Sequence, residues 1–234
     1  MRVAIHQPNF LPWIGFFDKW RKSDVLILLD DAQLPKKGGS WTNRCRIADT
    51  HNETQFWLSV PVQRPPSSTQ AINRSLVDNS QMWARTAYNR LAASYASLPG
   101  GPVILEEVKV LFSHRYDLLV ELNRAGLDAL GRLLGLSFDR VVLASDMGIR
   151  TTGTERLRDL VKCVGGSEYL SGQGSSSYLE PNVLEDSGIR VVWQRLQGFS
   201  NTVSYPTPNT LGLSVVDLIA RCGPVEARRV LENL

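Results

Sequence analysis

The sequence predicts an α/β fold: a mostly parallel, three-layer (Rossmann-like) sheet in one domain over residues 1–234, with a helical insertion at about 80–136. Three observations carry this. Short apolar runs alternate with helix-period stretches at both ends of the chain, the pattern of βαβ units. "DVLILLD" (24–30) is apolar without alternation, as suits a strand covered on both faces of a parallel sheet. The middle third shows helical periodicity, with leucines on one face.

In chain order, residues 2–6 read as the first strand, 14–22 as a short helix and 24–30 as the second strand. "QFWLSVPV" (55–62) reads as another strand, its proline marking a strand end or a sheet edge. "RPPSSTQ" (64–70) is a loop. Helices are expected at 81–96 and 114–134, separated by "PGGP" (99–102). The α/β pattern then resumes. A strand is expected at 140–145, a helix at 154–164, a short strand at 167–172, a weak helix at 178–186 and a strand at 189–196. "SVVDLIARCG" (214–223) is a helix stopped by glycine, and a last short helix follows.

At 43% hydrophobic and 21% charged residues, the chain has the composition of an ordinary globule with a sizeable core. A net charge of +3 is too mild to argue for nucleic acid. No apolar run approaches a membrane span, and Met1 leads into a strand rather than a signal sequence, so a cytoplasmic setting is expected. Cys45, Cys163 and Cys222 are widely spaced, without a CxxC pair or a Cys/His group, so neither zinc nor a disulfide framework is expected.

In a parallel sheet, ligands sit beyond the carboxyl ends of the strands. His6, Asp30, Asp31, Ser145, Asp146, Ser171 and Gly172 all fall there, so one cleft would gather them. His6 follows a buried strand and suits acid–base work or hydrogen bonding to a ligand. His51 reads as solvated, and His114 as a cap or surface residue at a helix start. "LLDDAQLPKKGGSWTNRCRI" (28–47) is the densest polar stretch. There Lys36, Lys37, Arg44 and Arg46, beside Trp41 and Asn43, would hold an anion such as a phosphate with a base or sugar stacked on the indole. "YLSGQGSSSYLE" (169–180) offers backbone N–H groups near a helix start, but matches neither the P-loop nor the dinucleotide fingerprint. Trp13 precedes the aromatic helix Phe16–Trp20 and lies near the mouth of the first strand. No serine sits in a nucleophile-elbow pattern.

With these residues in place, the chain resembles the WbqC-like protein family. The resemblance is carried by "IHQPNFLPWIGFFDKW", "DVLILLDDAQLPKKGGSWTNRCRI", "WLSVPV", "YLSGQGSSSYLE" and "LSVVDLIARCGP", in that order. It implies a shared site holding His6, Gln7, Pro8, Asp30, Trp41, Asn43, Arg44, Arg46, Gly172 and Tyr178. Two places depart from the family pattern: Cys45, where asparagine is more common, and "GFSNTVSYPTPNT" before "LSVVDL". Cys45 between two arginines is either a nucleophile of lowered pKa or, more simply, a packing residue. "LPWIGFF" after the first strand is also similar to the nucleotidylyltransferase turn, with its glycine kept and both histidines replaced.

The family setting implies a tailoring enzyme of polysaccharide or natural-product biosynthesis. It would transfer or condense an acyl or aminoacyl group on a carrier-protein thioester or a nucleotide-activated sugar. His6 is then the general acid or base, and Asp30 orients it. Lys37, Arg44 and Arg46 hold a phosphate, while Asn43 and the 171–175 amides face an oxyanion. No cofactor is required. One alternative is nucleotidyl or phosphoryl transfer with a metal at Asp30 or Asp31. The other is a non-catalytic subunit that binds a sugar or carrier protein. The helical insertion would serve as a lid or as a docking surface.

Overall fold

A computed structural model describes residues 1–35, 40–50, 54–63, 69–196 and 212–234. Lys36 and Lys37, and the segment after Gln194 from 197 to 211, lie outside the described residues. The elements run β1 (Arg2–His6), α1 (Ile14–Arg21), β2 (Val25–Leu28), β3 (Gln33–Leu34), β4 (Arg44–Asp49), β5 (Thr54–Ser59) and β6 (Gln70–Ala71). They continue as α2 (Trp83–Tyr95), α3 (Gly101–Ser113), α4 (Leu119–Leu133), β7 (Val141–Leu143), α5 (Gly153–Cys163), β8 (Glu168–Ser171), α6 (Pro181–Glu185), β9 (Arg190–Trp193) and α7 (Val215–Glu232).

The central sheet is a parallel five-stranded one, ordered β7-β2-β1-β8-β9. From β1 the chain steps outward through β2 to β7, then returns to the other side of β1 and steps outward again through β8 to β9. The order therefore reverses between β1 and β8, and loops leaving these two strands diverge to opposite faces. This divergence opens a crevice at their carboxyl ends.

Both faces of the sheet are covered, which is why its strands read as unbroken apolar runs. Ala4, Leu26, Leu28 and Leu170 point to one side and join Phe16, Phe17 and Trp20 of α1 and Leu122 and Leu130 of α4. Val3, Ile5, Ile27 and Tyr169 point to the other and meet Leu160 and Val161 of α5 and Leu184 of α6. The alternation of side chains along a strand produces this division. Leu91, Ile104 and Leu119, from the expected insertion, belong to the same core as Ala4 and Leu28.

Several boundaries differ from expectation. Residues 101–113 form a helix of their own, because Ile104, Leu105, Val108 and Leu111 bury one face. β-Branched residues dilute that period in the sequence. His114 therefore ends α3 rather than opening the next helix, with Nδ1 bonded to the Val110 carbonyl at 3.0 Å. "PGGP" is a close-contact corner: a Cβ on Gly100 would stand 1.9 Å from the Ile219 carbonyl oxygen. The 55–62 strand is shorter, Thr54–Ser59, and pairs antiparallel with β4 in a separate hairpin rather than at the sheet's edge. Gly223 (φ 76°) and Pro224 kink α7 where the glycine stop was expected, and Ser214 Oγ caps its start by accepting from Val216 N–H. No described helix is long and apolar enough to cross a membrane.

The loop after β1 is tied down from outside the sheet. Asn123 of α4 is buried and donates through Nδ2 to the carbonyls of Pro8 and Thr42, each at 2.8 Å. Replacing it with leucine leaves two buried carbonyls unpaired. Asn123→Leu should destabilise the protein by about 2–3 kcal/mol in urea unfolding; a change under about 0.5 kcal/mol would show that water or a shifted donor serves these carbonyls.

Candidate functional site

A cavity of about 1120 Å³ opens at the reversal point, at the carboxyl ends of β1, β8 and β9. Of the residues the strand-end rule gathers, His6, Ser171 and Gly172 line it and Asp30, Asp31, Ser145 and Asp146 do not; Gln7, Trp13 and Tyr178 line it as well. Lys19, Arg156, Gln194 and Arg195 line it too, and the sequence reading had none of these. None of its described lining residues comes from α2, α3 or α4, so these helices do not form a lid over it.

His6 ends β1 on the α1 side of the sheet. Its ring meets the Phe16 ring edge-on, 4.9 Å between centroids. Nδ1 lies 2.9 Å from the Gln7 carbonyl oxygen, which can only accept, so in the neutral ring Nδ1 carries the proton. Nε2 is then a lone-pair acceptor with no partner among the described residues. Burial, and after it the Lys19 charge, lower the pKa of His6 to about 3 against the opposing Gln7 carbonyl. His6 is therefore neutral at physiological pH.

Lys19 is 6% exposed on the helix face turned towards the sheet. Burial lowers its pKa to about 8. No described residue gives it a hydrogen bond or an ion pair. Its neighbour Asp18 looks elsewhere, taking Lys22 Nζ at 2.9 Å and Gln194 Nε2 at 2.8 Å. Gln194 also donates to the Gly15 carbonyl at 2.8 Å. Two acceptors on Nε2 fix the amide's orientation, so Oε1 faces Gly172.

On the β8 wall, Ser175 Oγ donates to the Gly172 carbonyl at 2.7 Å, so the 2.5 Å contact with Ser171 Oγ is a donation from Ser171. Tyr169 shares a hydrogen bond with Ser171, yet burial pushes its phenol up to about 12. Tyr178 stands at the rim, 68% exposed.

The remaining candidates lie elsewhere. Asp30 is buried and does not orient His6. Its carboxylate accepts from Ser145 N–H at 3.0 Å, Ser145 Oγ at 2.7 Å and Asn73 Nδ2 at 3.1 Å, locking the end of β2 to the segment after β7. Asp31 pairs with Arg156 and so reaches the cavity only through that guanidinium. Asn43 is spent on structure rather than on an oxyanion: Oδ1 accepts from Ser40 N–H at 3.2 Å and Nδ2 donates to the Val60 carbonyl at 3.1 Å. Cys45 is 1% exposed, and burial pushes its thiol up, not down, so the arginines flanking it do not make it a nucleophile. Trp41, Arg44, Arg46 and Trp57 form a separate patch on the β4–β5 hairpin. There Arg44 stacks 3.9 Å above the Trp57 ring, and both indoles are 38% exposed. Lys37 lies outside the described residues. Among the described residues, no three of His, Cys, Asp and Glu gather to hold a metal ion.

This geometry can be set beside known proteins. The profile of the WbqC-like protein family matches residues 7–229. The chain belongs to that family. It is also 30% identical over 223 residues to a Mycobacterium tuberculosis protein, uncharacterized protein Rv1507c, covering 95% of this chain and 94% of that one. No solved structure matches the chain. In this WbqC-like protein His6, Gln7, Gly172 and Tyr178 line one cavity, while Arg44 and Arg46 lie in β4 and Trp41 and Asn43 in the turn before it.

The two shifted bases make opposite limbs of a stability profile. Between pH 8 and 10.5 the unfolded chain holds more protons at Lys19 than the folded one, so stability rises with pH there; below pH 8 the buried charge costs its full amount. From pH 6.5 down to about 3 the unfolded chain takes up a proton that folded His6 refuses, so stability falls with acid. Lys19→Met should raise stability at pH 7 by about 1–3 kcal/mol, flatten the alkaline limb and shorten the acid one, because His6 loses the charge that helps hold its pKa down. Denaturant titrations across pH check this; a destabilised Lys19→Met would reveal a hidden partner for the ammonium.

Proposed function

We propose that the chain is a cytoplasmic transferase of polysaccharide or natural-product assembly. It would move an acyl or aminoacyl group from a carrier-protein thioester to a small acceptor in the cavity, such as the amine or hydroxyl of a nucleotide-activated sugar. The observation that carries this is His6: neutral, held by its backbone contact, with Nε2 open in a cavity lined by Lys19, Arg156 and Arg195 and by no described carboxylate.

In this reading the acceptor's N–H or O–H donates to Nε2. As the acceptor attacks the acyl carbon and the C–S bond breaks, its proton passes to the ring and then to the departing thiolate. Burial, and after it the Lys19 charge, keep the free ring unprotonated. An anionic substrate beside Lys19 offsets that charge, so binding itself strengthens the base. Arg156 and Arg195 suit the phosphate of a phosphopantetheine or a nucleotide. With Cys45 buried, transfer is direct, in one ternary complex and without an acyl-enzyme at that thiol.

The test is turnover of acyl-pantetheine thioesters and acyl-carrier proteins, followed by thiol release across a panel of amine and alcohol acceptors. His6→Ala should lower turnover by about 100-fold or more with donor binding retained. Cys45→Ser should stay within about three-fold of the parent, as expected for a buried thiol outside the chemistry. Donor binding without turnover, with His6→Ala changing affinity alone, would make the protein a binding subunit instead.

A further inference from the structure

The floor of the cavity presents one donor and two acceptors that no described residue satisfies. Lys19 Nζ and Gln194 Oε1 flank Gly172 from two sides. A Cβ built on that glycine would stand 3.3 Å from the ammonium and 3.9 Å from the amide oxygen. His6 and Gly172 each lie two residues beyond the last β1–β8 pair, Ala4 with Leu170, and line the same cavity, and the charge of Lys19 is felt at the ring. The amide oxygen cannot turn away, because Gly15 and Asp18 hold the Gln194 nitrogen. Nor can the neutral His6 ring present a donor here, because its one N–H, on Nδ1, is donated to the Gln7 carbonyl.

A buried ammonium without a counter-ion is costly unless something anionic comes to it. No described Asp or Glu lines the cavity, so that anion is not supplied by the described protein. The two acceptors narrow the ligand further. A phosphate or simple carboxylate would satisfy Lys19 but bring its own lone pairs against Gln194 Oε1 and His6 Nε2. A simple amine would satisfy the acceptors but meet the like charge of Lys19. A molecule with an acid group and an amino group on adjacent atoms satisfies all three.

We propose that this floor binds the head of an α-amino acid, with its carboxylate on Lys19 Nζ and its amino group donating to Gln194 Oε1 and His6 Nε2. The space left by Gly172 is the seat of that head. The rest of the cavity is several times larger than such a head and remains for a second substrate. The identification of the amino acid as the acyl acceptor rests on the transferase reading above; its binding does not.

The experiment is a footprint of Lys19 in the wild-type protein, needing no variant to fold. Lysines are acetylated with limiting acetic anhydride and each site is read by peptide mass spectrometry. The twenty standard amino acids are added singly at millimolar concentration, with acetate, lactate, methylamine and inorganic phosphate as controls. At least one amino acid should slow labelling of Lys19 by roughly ten-fold while surface lysines are unaffected, and no control should do so. Gly172→Ala, whose methyl group fills the seat without changing any charge, should abolish that protection. Equal protection by acetate or phosphate would overturn the proposal in favour of a plain anion site, and equal protection by lactate would make the ligand a hydroxy acid. Protection by none of the amino acids would also overturn it, as would protection that survives Gly172→Ala. Protection in a protein that never turns over a thioester would sink the transferase reading and leave this one standing. Turnover with acceptors that leave Lys19 unprotected would do the reverse.

Discussion

The cavity depends on one side chain, Gln194. It ends the outermost strand of the second half of the sheet, yet both hydrogens of its amide go to the first half, to the Gly15 carbonyl and the Asp18 carboxylate of α1. α1 and β9 are thereby held together across the end of β8. Without that tie a buried carboxylate loses a donor and a buried carbonyl loses its partner, each costly in a low-dielectric interior. The same tie turns Oε1 towards Gly172. The residue that joins the two halves therefore also sets one polar contact of the floor.

The unpaired state of Lys19 follows from helix geometry. Asp18 and Lys19 are adjacent in sequence, and adjacent residues on a helix point about 100° apart, so they cannot face each other. Asp18 finds its cation one turn on, at Lys22, and that leaves Lys19 with none among the described residues. This order holds a cation under the sheet's edge at a standing cost to stability, the trade expected at a working site rather than in a structural core.

Much of the architecture was legible because it rests on patterns that survive without tertiary context. "DVLILLD" could be unalternating only if both its faces were covered, and they are. The rule that ligands lie beyond strand ends led to His6, Ser171 and Gly172. The polar stretch after β2 misled for a physical reason. A carboxylate or an amide reads the same whether its partners are protein or ligand, and Asp30 and Asn43 turned out to be saturated by Ser145, Asn73, Ser40 and Val60. Lys19 was hidden by its company. In "GFFDKW" the aromatics spell core, and only the spacing of three residues from Phe16 shows that the lysine shares the buried face. Gln194 carried no signal beyond its place at a strand end.

The residues that the family resemblance implied for a shared site divide into two kinds of work. His6 and Gly172 face the cavity. Trp41 and Asn43 do not, yet they brace the loop that shapes it. The Trp41 carbonyl accepts from Phe10 N–H at 3.0 Å, Thr42 Oγ1 donates to Gln7 Oε1 at 3.4 Å, and Asn43 fixes the turn on which both stand. Gln7 is the residue whose backbone carbonyl holds the proton of His6 on Nδ1. The turn before β4 thus braces the loop behind the His6 ring through two contacts and no ligand. A residue required to hold that carbonyl in place is constrained as tightly as one that touches substrate, so membership of a shared motif does not separate the two kinds of work. Hydrogen-bond saturation does: Asn43 has a protein partner at each end of its amide, while Lys19, outside every polar motif, has none among the described residues.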